Sequence, residues 1–535
     1  MKKIFFLFLA TALCLPIIAQ EKTTKTNTAD KLTEHIDIYC SVLRELETGY
    51  VDTLNHKKLL KESLGRMLYS LDPYTQYIPS DDEDYLKRLQ SGQYGGVGSI
   101  VTLMDEKPYF SEPYEGKPAA KAGIKAGDQI LAIDGKDCSK LKINEVSQML
   151  RGKPGTVINV KVQRIGEKKP LNFTFEREAI KMPSVTYWAE VAPKTGYIRI
   201  EDFIDRTSFD FRKALDELVK TKQIESLIID LRSNGGGIVD QAVDIAALFV
   251  PLDTKIVEMR GDHGDTKRSY RTQSSPLYPD MKLIILVDEN TASSSEILAG
   301  SLQDLDRAVI MGEQSFGKGV VQNIRELPHD NYMKMTVAKY YLPSGRCVQR
   351  IDSTLRKTFK TNNGREIEDG SGITPDSMIV DNAKINIADY LFVSNMYFKY
   401  ANLYQSTHPA IAPLEQFTVT DDIYDDFCKF VMDNNFTYTL QSEKYLKTLQ
   451  EMVEQEGYKD ITAEVFQQMK QALQPNVERD LRLFADEIRE NLTSEIVKHY
   501  YYEWGVYAVG VRHDNWIKYA VNLMNNDKEY KSLLK

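Results

Sequence analysis

Two apolar runs, each followed by a turn and a helix-like segment, constrain the fold more than any other feature of this sequence. Residues 227–231 (LIIDL) form the first run, and RSNGGG at 232–237 separates it from apolar residues at helical spacing. Residues 283–287 (LIILV) form the second run and lead into TASSSE at 291–296. A repeated order of strand, turn and helix is typical of an α/β layer. We therefore expect the two strand ends to bring their loops to one site.

The serine-rich segment has two interpretations. Ser293 and Glu296 fit a capping box, in which the two side chains satisfy free N–H groups at the start of a helix. The same position places Ser293 where a strand gives way to a helix, with the Ser294 N–H at the positive end of the helix dipole. An oxyanion hole needs such a donor, and the glycine turn at 235–237 supplies a second candidate. The segment is therefore either a simple helix cap or the site of a nucleophile.

Lys318 is the candidate base for that nucleophile. No histidine lies between Ser293 and Lys318, and a lysine can accept a hydroxyl proton once burial disfavours its charged form. In an extended segment Gln322 faces the same side as Lys318 and is placed to orient the amine. The alternative is a P-loop NTPase, because GEQSFGKG at 312–319 resembles a phosphate-binding loop. Gly319 replaces the required Ser or Thr, and residues 320–327 predict a strand where a P-loop needs a helix.

Residues 92–178 have short β-type runs separated by glycine turns. Gly95, Gly96, Val97 and Gly98 precede one such run, and backbone N–H groups of this kind can bind a peptide's terminal carboxylate while the strand pairs with its backbone. Together with AGIKAGDQILAIDG at 122–135 and LRGKPG at 150–155, this region resembles a PDZ domain. A β-rich spacer that binds nothing is the alternative interpretation.

The combined motifs resemble the carboxy-terminal processing peptidases, the S41 family of serine proteases. The shared features are LRSNGGG at 231–237, TASSSE at 291–296, GKGVVQ at 317–322 and a PDZ-like region upstream of all three. The resemblance implies a catalytic set of Ser293, Lys318 and Gln322, with oxyanion donors at Ser294 and at Gly237 or Gly236. With the PDZ-like region upstream of this set, we expect recognition of protein C-termini. Arg151, in LRGKPG, is either a link between peptide binding and catalysis or a surface charge. A non-catalytic PDZ scaffold is the competing function.

The first 19 residues predict export. Lys2 and Lys3 precede an apolar run that ends in Ile17-Ile18-Ala19, a pattern typical of a signal peptide cleaved after Ala19. An uncleaved anchor and a lipid-modified Cys14 are the alternatives. We expect a periplasmic or envelope-associated protein.

Composition excludes several other classes. The four cysteines beyond residue 19 have no CxxC spacing, the histidines form no HxxxH motif, and no basic stripe is present. No metal, cofactor or nucleic-acid partner is therefore expected. The expected organisation is a signal peptide (1–19), an N-terminal helical region (20–91), a PDZ domain (92–178), an α/β peptidase core (179–381) and a C-terminal helical domain (382–535). The expected partners are proteins or peptides with accessible C-termini, and the terminal helical regions are candidate homo-oligomer contacts.

Overall fold

The computed structural model describes residues 16–80, 93–261, 267–380 and 385–535. The chain divides into two compact units, one of Met1–Asp81 with Gln322–Thr336 and one of Asp82–Val321 with Val337–Lys535. Of the predicted signal peptide, residues 1–15 lie outside the described part. Within that part, none of the helices combines the length and apolar character that a membrane span requires.

The smaller unit is mainly helical, as predicted. Helix α1 (Pro16–Gly49) and helix α2 (His56–Tyr69) are linked by a hydrogen bond from the Tyr39 hydroxyl to the Ser63 hydroxyl, at 3.1 Å. Strand β1 (Gln76–Ile78) follows and pairs antiparallel with residues 332–334. Several apolar side chains of α1 and α2 are exposed, namely Leu32, Ile36, Val42, Leu43, Leu60 and Met67.

The first part of the larger unit is the predicted β-rich domain. An antiparallel sheet in the order β3-β4-β5-β7-β8 forms its body, β6 pairs with β5, and β2 pairs with β9. These strands are β2 (Gln93–Gly96), β3 (Ser99–Met104), β4 (Lys107–Pro113), β5 (Gln129–Ile133), β6 (Lys136–Asp137), β7 (Val157–Gln163), β8 (Leu171–Glu176) and β9 (Glu178–Lys181). Its helices are α3 (Pro118–Lys121) and α4 (Ile143–Leu150). Strand β3 lies at the edge of the sheet.

A six-stranded sheet in the order β10-β11-β12-β15-β16-β21 organises the rest of the larger unit. Strands β10 and β11 are antiparallel, and every later pair is parallel. The strands are β10 (Val185–Ala192), β11 (Thr195–Ile200), β12 (Ser226–Asp230), β15 (Lys282–Val287), β16 (Val309–Gly312) and β21 (Ser377–Met378). Helices α5 (Thr207–Lys222), α6 (Val239–Ala246) and α7 (Ser294–Asp304) connect them. Both apolar runs of the sequence are therefore strands that end in loops at one edge of the sheet.

Shorter strands complete the two units. Strand β13 (Lys255–Arg260) pairs with β14 (Arg268–Arg271), and β17 (Val320–Leu327) pairs with β18 (Asn331–Tyr341). Strands β19 (Thr358–Lys360) and β20 (Glu366–Glu368) form a hairpin after a 3₁₀ turn at Ser353–Leu355.

The C-terminal part is entirely helical in its described residues. Its helices are α8 (Ile387–Val393), α9 (Met396–Thr407), α10 (Asp421–Asp433), α11 (Gln441–Gln455), α12 (Lys459–Ala472), α13 (Val477–Leu483), α14 (Ala485–His513), α15 (Asn515–Asn525) and α16 (Asp527–Ser532). Helix α14 is interrupted at Tyr502, whose φ of 54° and ψ of −155° are not helical.

Alternate side chains of the central strands enter two different hydrophobic cores. Leu227 and Ile229 pack with helices α5 to α7 on one face of the sheet. Ile228 and Ile284 pack on the other face with side chains from the C-terminal helices, including Ile517. Burial on both faces explains why successive residues in the middle of these strands are apolar. The architecture matches the predicted fold class in having an α/β core, a β-rich domain upstream of it, an N-terminal helical segment and a C-terminal helical domain.

Candidate active site

Ser293 occupies the junction between β15 and helix α7. It is the N-cap residue of α7, its φ is 59° and its ψ is −116°, and only 9% of its surface is exposed. A positive φ is uncommon for a residue with a Cβ and is found often at functional sites. Ser293 and Glu296 occupy the two positions of a capping box at the start of α7. The cap interpretation and the nucleophile interpretation are therefore compatible at this position.

The carboxylate of Glu296 connects the serine to the lysine loop. Its Oε2 accepts hydrogen bonds from the backbone N–H groups of both Ser293 and Lys318, each at 2.8 Å. Its Oε1 accepts from the Ser315 hydroxyl at 2.6 Å and from the Gly317 N–H at 2.8 Å. The capping-box contact is thus present, and the same carboxylate also fixes the loop that carries the candidate base.

Glu296 is fully buried, and its ionisation is set by two opposing effects. Burial raises the pKa of its carboxyl group above the ordinary value, although the hydrogen bonds from Ser315, Lys318, Ser293 and Gly317 act to lower it. Three of these four donors are backbone N–H groups, which can only donate and so match an ionised carboxylate, which only accepts. We therefore assign the ionised form to the ordered site.

Lys318 lies in the loop between β16 and β17 and is half-buried. The loop is fixed on both sides, because the Phe316 N–H donates to the Thr291 carbonyl at 3.0 Å and the Arg350 N–H donates to the Gly317 carbonyl at 2.9 Å. The segment after Lys318 is strand β17, as predicted. A P-loop requires a helix at this point, so the local fold does not fit a phosphate-binding loop.

Gln322 belongs to the smaller unit. Its side-chain amide donates a hydrogen bond to the Thr336 hydroxyl at 3.4 Å. The predicted contact between its amide oxygen and the Lys318 amine stays a prediction.

The glycine turn lies against Ser293. A Cβ on Gly236 would come within 2.6 Å of the Ala292 carbonyl oxygen and 2.7 Å of the Ser293 Cβ, and the Gly236 φ is 96°. The Gly236 N–H already donates to the Asn234 Oδ1 at 2.8 Å, so Gly236 is the weaker oxyanion candidate of the two. A Cβ on Gly237 would come within 2.2 Å of the Phe203 carbonyl oxygen. Both positions therefore require glycine, for close approach as much as for backbone conformation.

The two serines after Ser293 hold this turn in place. The Ser294 hydroxyl donates to the Gly237 carbonyl at 2.8 Å, and the Ser295 hydroxyl donates to the Asn234 carbonyl at 3.1 Å. Both hydroxyls therefore bind the turn. The Asn234 side chain, which the sequence analysis did not single out, also donates to the Ile200 carbonyl at 2.8 Å.

A buried ion pair fixes the start of the same turn. The Arg232 guanidinium donates to Asp230, with Nε at 2.9 Å from Oδ1. Burial acts to raise the pKa of Asp230, but the charge of Arg232 holds that pKa below its ordinary value. Sequence reasoning missed Asp230, Arg232 and Glu296 as site residues. The sequence motifs DLRSNGGG and SSSE contain these three residues, but nothing in the sequence indicates which residues they contact.

The candidate peptide groove lies at the free edge of β3. Gly95 and Gly96 are in β2 and pair with Ala179 and Glu178 of β9, so they are not an open loop as expected. Val97 and Gly98 form the turn between β2 and β3, and the Gly98 φ is 69°. An edge strand beside such a turn suits the addition of a peptide strand.

Arg151 lies near this turn but contacts its own domain. Its guanidinium is 5.5 Å from the centre of the Tyr94 ring, and the adjacent Gly152 N–H donates to the Gly95 carbonyl at 3.1 Å. A coupling role for Arg151 stays a prediction.

Three family models match the chain in the predicted order. A PDZ domain model matches residues 109–164, the peptidase family S41 model matches residues 194–356, and a model described as a probable PDZ-protease C-terminal helical domain matches residues 387–524. The third match covers the helical region about which the sequence motifs said little.

The chain is also similar to carboxy-terminal processing proteases over most of the length of those proteins. A carboxy-terminal-processing protease of Bartonella bacilliformis is 33% identical over 356 residues, which are 66% of this chain and 81% of that protein. The carboxy-terminal processing protease CtpB of Bacillus subtilis is 32% identical over 347 residues, or 64% of this chain and 70% of CtpB. Among solved structures, a photosystem II D1 C-terminal processing protease matches with 26% identity and a TM-score of 0.37, covering 63% of this chain and 86% of that one.

Proposed function

The chain belongs to peptidase family S41 and is a serine-type peptidase of the carboxy-terminal processing class, and we propose that Ser293 is its nucleophile and Lys318 its general base. One observation carries this assignment. A single oxygen of Glu296 accepts the backbone N–H groups of both residues.

The reaction begins when neutral Lys318 accepts the hydroxyl proton of Ser293. The Ser293 oxygen then attacks the carbonyl carbon of the scissile peptide bond, and the carbonyl electrons move to its oxygen. The backbone N–H groups of Ser294 and Gly237 bind this oxyanion. The Ser294 N–H lies at the start of helix α7, where the helix dipole favours negative charge. Gly236 supports the donor by closing the turn against Ser293.

Collapse of the tetrahedral intermediate breaks the C–N bond. Lys318 returns its proton to the leaving amine, and an acyl ester remains on Ser293. A water molecule then attacks the ester while Lys318 accepts its proton, and Ser293 is regenerated with a carboxylic acid product. Gln322 orients the lysine amine in this scheme. The steps use no metal ion or nucleotide.

Substrate selection is assigned to the PDZ domain. A protein C-terminus adds as a strand to the free edge of β3, and its carboxylate binds at the turn of Val97 and Gly98, which follows the paired residues Gly95 and Gly96 of β2. Arg151, beside this turn, passes peptide occupancy to the protease core. The substrates are proteins or peptides with accessible C-termini outside the cytoplasm, and the terminal helical regions supply homo-oligomer contacts.

Two pairs of measurements test the proposal. Ser293→Ala and Lys318→Ala should each abolish cleavage of an unfolded protein while they leave binding of its C-terminus intact. Wild-type cleavage by either variant would exclude the assigned residue. Amidation of the substrate's C-terminal carboxylate should raise KM by about tenfold or more, because the charge-assisted hydrogen bonds to the carboxylate are lost. An unchanged KM would instead exclude carboxylate recognition.

A further inference from the structure

The turn that carries the oxyanion candidates is contacted from the C-terminal helical domain. Arg232, which opens this turn, donates from Nη2 to the Asp514 Oδ2 at 2.7 Å. Asp514 is also the N-cap of helix α15, because its Oδ1 accepts the N–H groups of Trp516 at 2.8 Å and Ile517 at 3.2 Å. One carboxylate oxygen therefore starts a helix, and the other fixes the arginine.

Trp516 extends the contact to a second strand end. Its ring lies 5.2 Å from the guanidinium carbon of Arg232. A Cβ on Gly312 would come within 2.7 Å of the same ring, so the ring packs directly on the last residue of β16. The chain continues from Gly312 into the loop that carries Lys318. Residues 514–516 thus contact both the oxyanion turn and the strand end before the lysine loop.

The remaining contacts of the turn come from the protease core. Asp288 accepts the Ser233 N–H at 2.9 Å, and the Asn234 N–H donates to the Leu231 carbonyl at 3.1 Å. Asp230 is fully buried, whereas the Arg232 and Asp514 side chains are 18% and 19% exposed. The arginine is thus held between one carboxylate from each domain. Loss of the Asp514 charge would leave the turn fixed on the core side alone.

We propose that Asp514 and Trp516 are positioning residues for the acyl-transfer step, through which the C-terminal helical domain sets the position of the oxyanion turn. This inference rests on the proposed function of Ser293 and Lys318. Neither residue touches the reacting atoms, and their effect passes through Arg232 and Gly312. The helical domain is therefore part of the catalytic apparatus as well as a cover for the sheet.

The test compares Asp514→Asn with Tyr530→Phe in the full-length protein. Asparagine caps a helix about as well as aspartate but lacks the charge that pairs with Arg232. The Tyr530 hydroxyl accepts the Leu283 N–H at 2.9 Å and donates to the Leu283 carbonyl at 3.0 Å. Tyr530→Phe therefore weakens the same helical layer on the same sheet, but near the start of β15 and away from the turn.

The readouts are kcat, KM, the thermal midpoint and the rate at which a fluorophosphonate modifies Ser293. We expect Asp514→Asn to lower kcat and the modification rate by about 10- to 100-fold with KM within about threefold, since small misplacement of an oxyanion donor has effects of this size. Tyr530→Phe should keep kcat within about twofold of the wild type, even if its thermal midpoint falls as far as that of Asp514→Asn. If Asp514→Asn does not fold, Trp516→Phe is used in its place, and the same fall in kcat and in the modification rate is expected of it.

Equal kcat values for Asp514→Asn and Tyr530→Phe at matched stability would overturn the inference. This outcome is distinct from failure of the proposed function. If Ser293→Ala and Lys318→Ala retain wild-type turnover, the catalytic assignment itself is wrong. If those two variants are inactive and Asp514→Asn behaves as the control does, only the positioning role is wrong.

Discussion

Replacement of Glu296 by glutamine should disable the enzyme, although the side chain at position 296 does not take part in cleavage of the peptide bond. The carboxylate accepts four hydrogen bonds, two on each oxygen. Glutamine keeps one acceptor oxygen and presents an NH₂ group, itself a donor, to the other pair of donors. If the NH₂ group takes the place of Oε2, the facing donors are the N–H groups of Ser293 and Lys318. The backbone N–H groups of the two catalytic residues then lose the acceptor that they share.

The size of the effect follows from the number of bonds lost. A hydrogen bond to a charged group contributes about 1.5–3 kcal/mol, and each buried donor left without an acceptor costs about 1–3 kcal/mol. With two donors affected, Glu296→Gln should lower the free energy of unfolding by roughly 3–6 kcal/mol. That is a large part of the about 5–15 kcal/mol that holds a typical protein folded. Where the variant folds, kcat should fall by about 100-fold because the serine and lysine are no longer held in register.

Urea unfolding, followed by fluorescence, and cleavage of an unfolded substrate measure the two effects. Asp389→Asn is the matched control, because Asp389 is exposed and accepts the Asn386 N–H at 2.8 Å in a second capping box, at the start of α8. It should cost about 0.5–2 kcal/mol, as the loss of an ordinary cap does, and leave kcat unchanged. If Glu296→Gln costs no more than Asp389→Asn and keeps wild-type kcat, the carboxylate is only a helix cap.

Two further predictions concern the oxyanion turn and the contact between domains. Gly236→Ala should be inactive, because its Cβ would lie 2.6 Å from the Ala292 carbonyl oxygen, whereas Ser294→Ala keeps its backbone N–H and should retain kcat within about tenfold. Similar activities in a peptidase assay would contradict this. The second prediction concerns Glu503 of α14, which lies beside Glu112 of β4. Burial, and then the neighbouring Glu112 carboxyl group, raise the pKa of Glu503 to about 8. The contact is therefore most stabilising below the ordinary pKa of 4.5 and weakens as pH rises through about 8. The urea midpoint should therefore fall between about pH 6 and about pH 9 in the wild type and change less in Glu503→Gln; parallel profiles would refute the assignment.

The sequence was sufficient to predict the two central strands and the loops that follow them. Residues 283–287 are entirely apolar and residues 227–231 are apolar except for Asp230, as expected for a sheet that is buried on both faces. Strands β12 and β15 begin one residue earlier than predicted and span nearly the same residues. Ser293 was correctly placed between a strand and a helix. These features depend on neighbours in the chain, so a local pattern is enough to reveal them.

Features that depend on distant partners could not be predicted in this way. The SSSE pattern revealed a cap, but Glu296 binds the Lys318 N–H, and no local rule links those two positions. Gly95 and Gly96 looked like a free turn because their pairing strand, β9, lies more than 80 residues away. The bond from Arg232 to Asp514 crosses an even longer stretch of chain.

The central claim is that Ser293 becomes acylated because Lys318 removes its proton. The most direct measurement is to mix the enzyme with an activated peptide ester, quench in acid and locate the acyl group by mass spectrometry at successive times. We predict an adduct on Ser293 that forms about 100-fold or more slowly in Lys318→Ala, the usual contribution of a positioned general base. An adduct on another residue, or equal rates of Ser293 acylation in the two proteins, would contradict the claim.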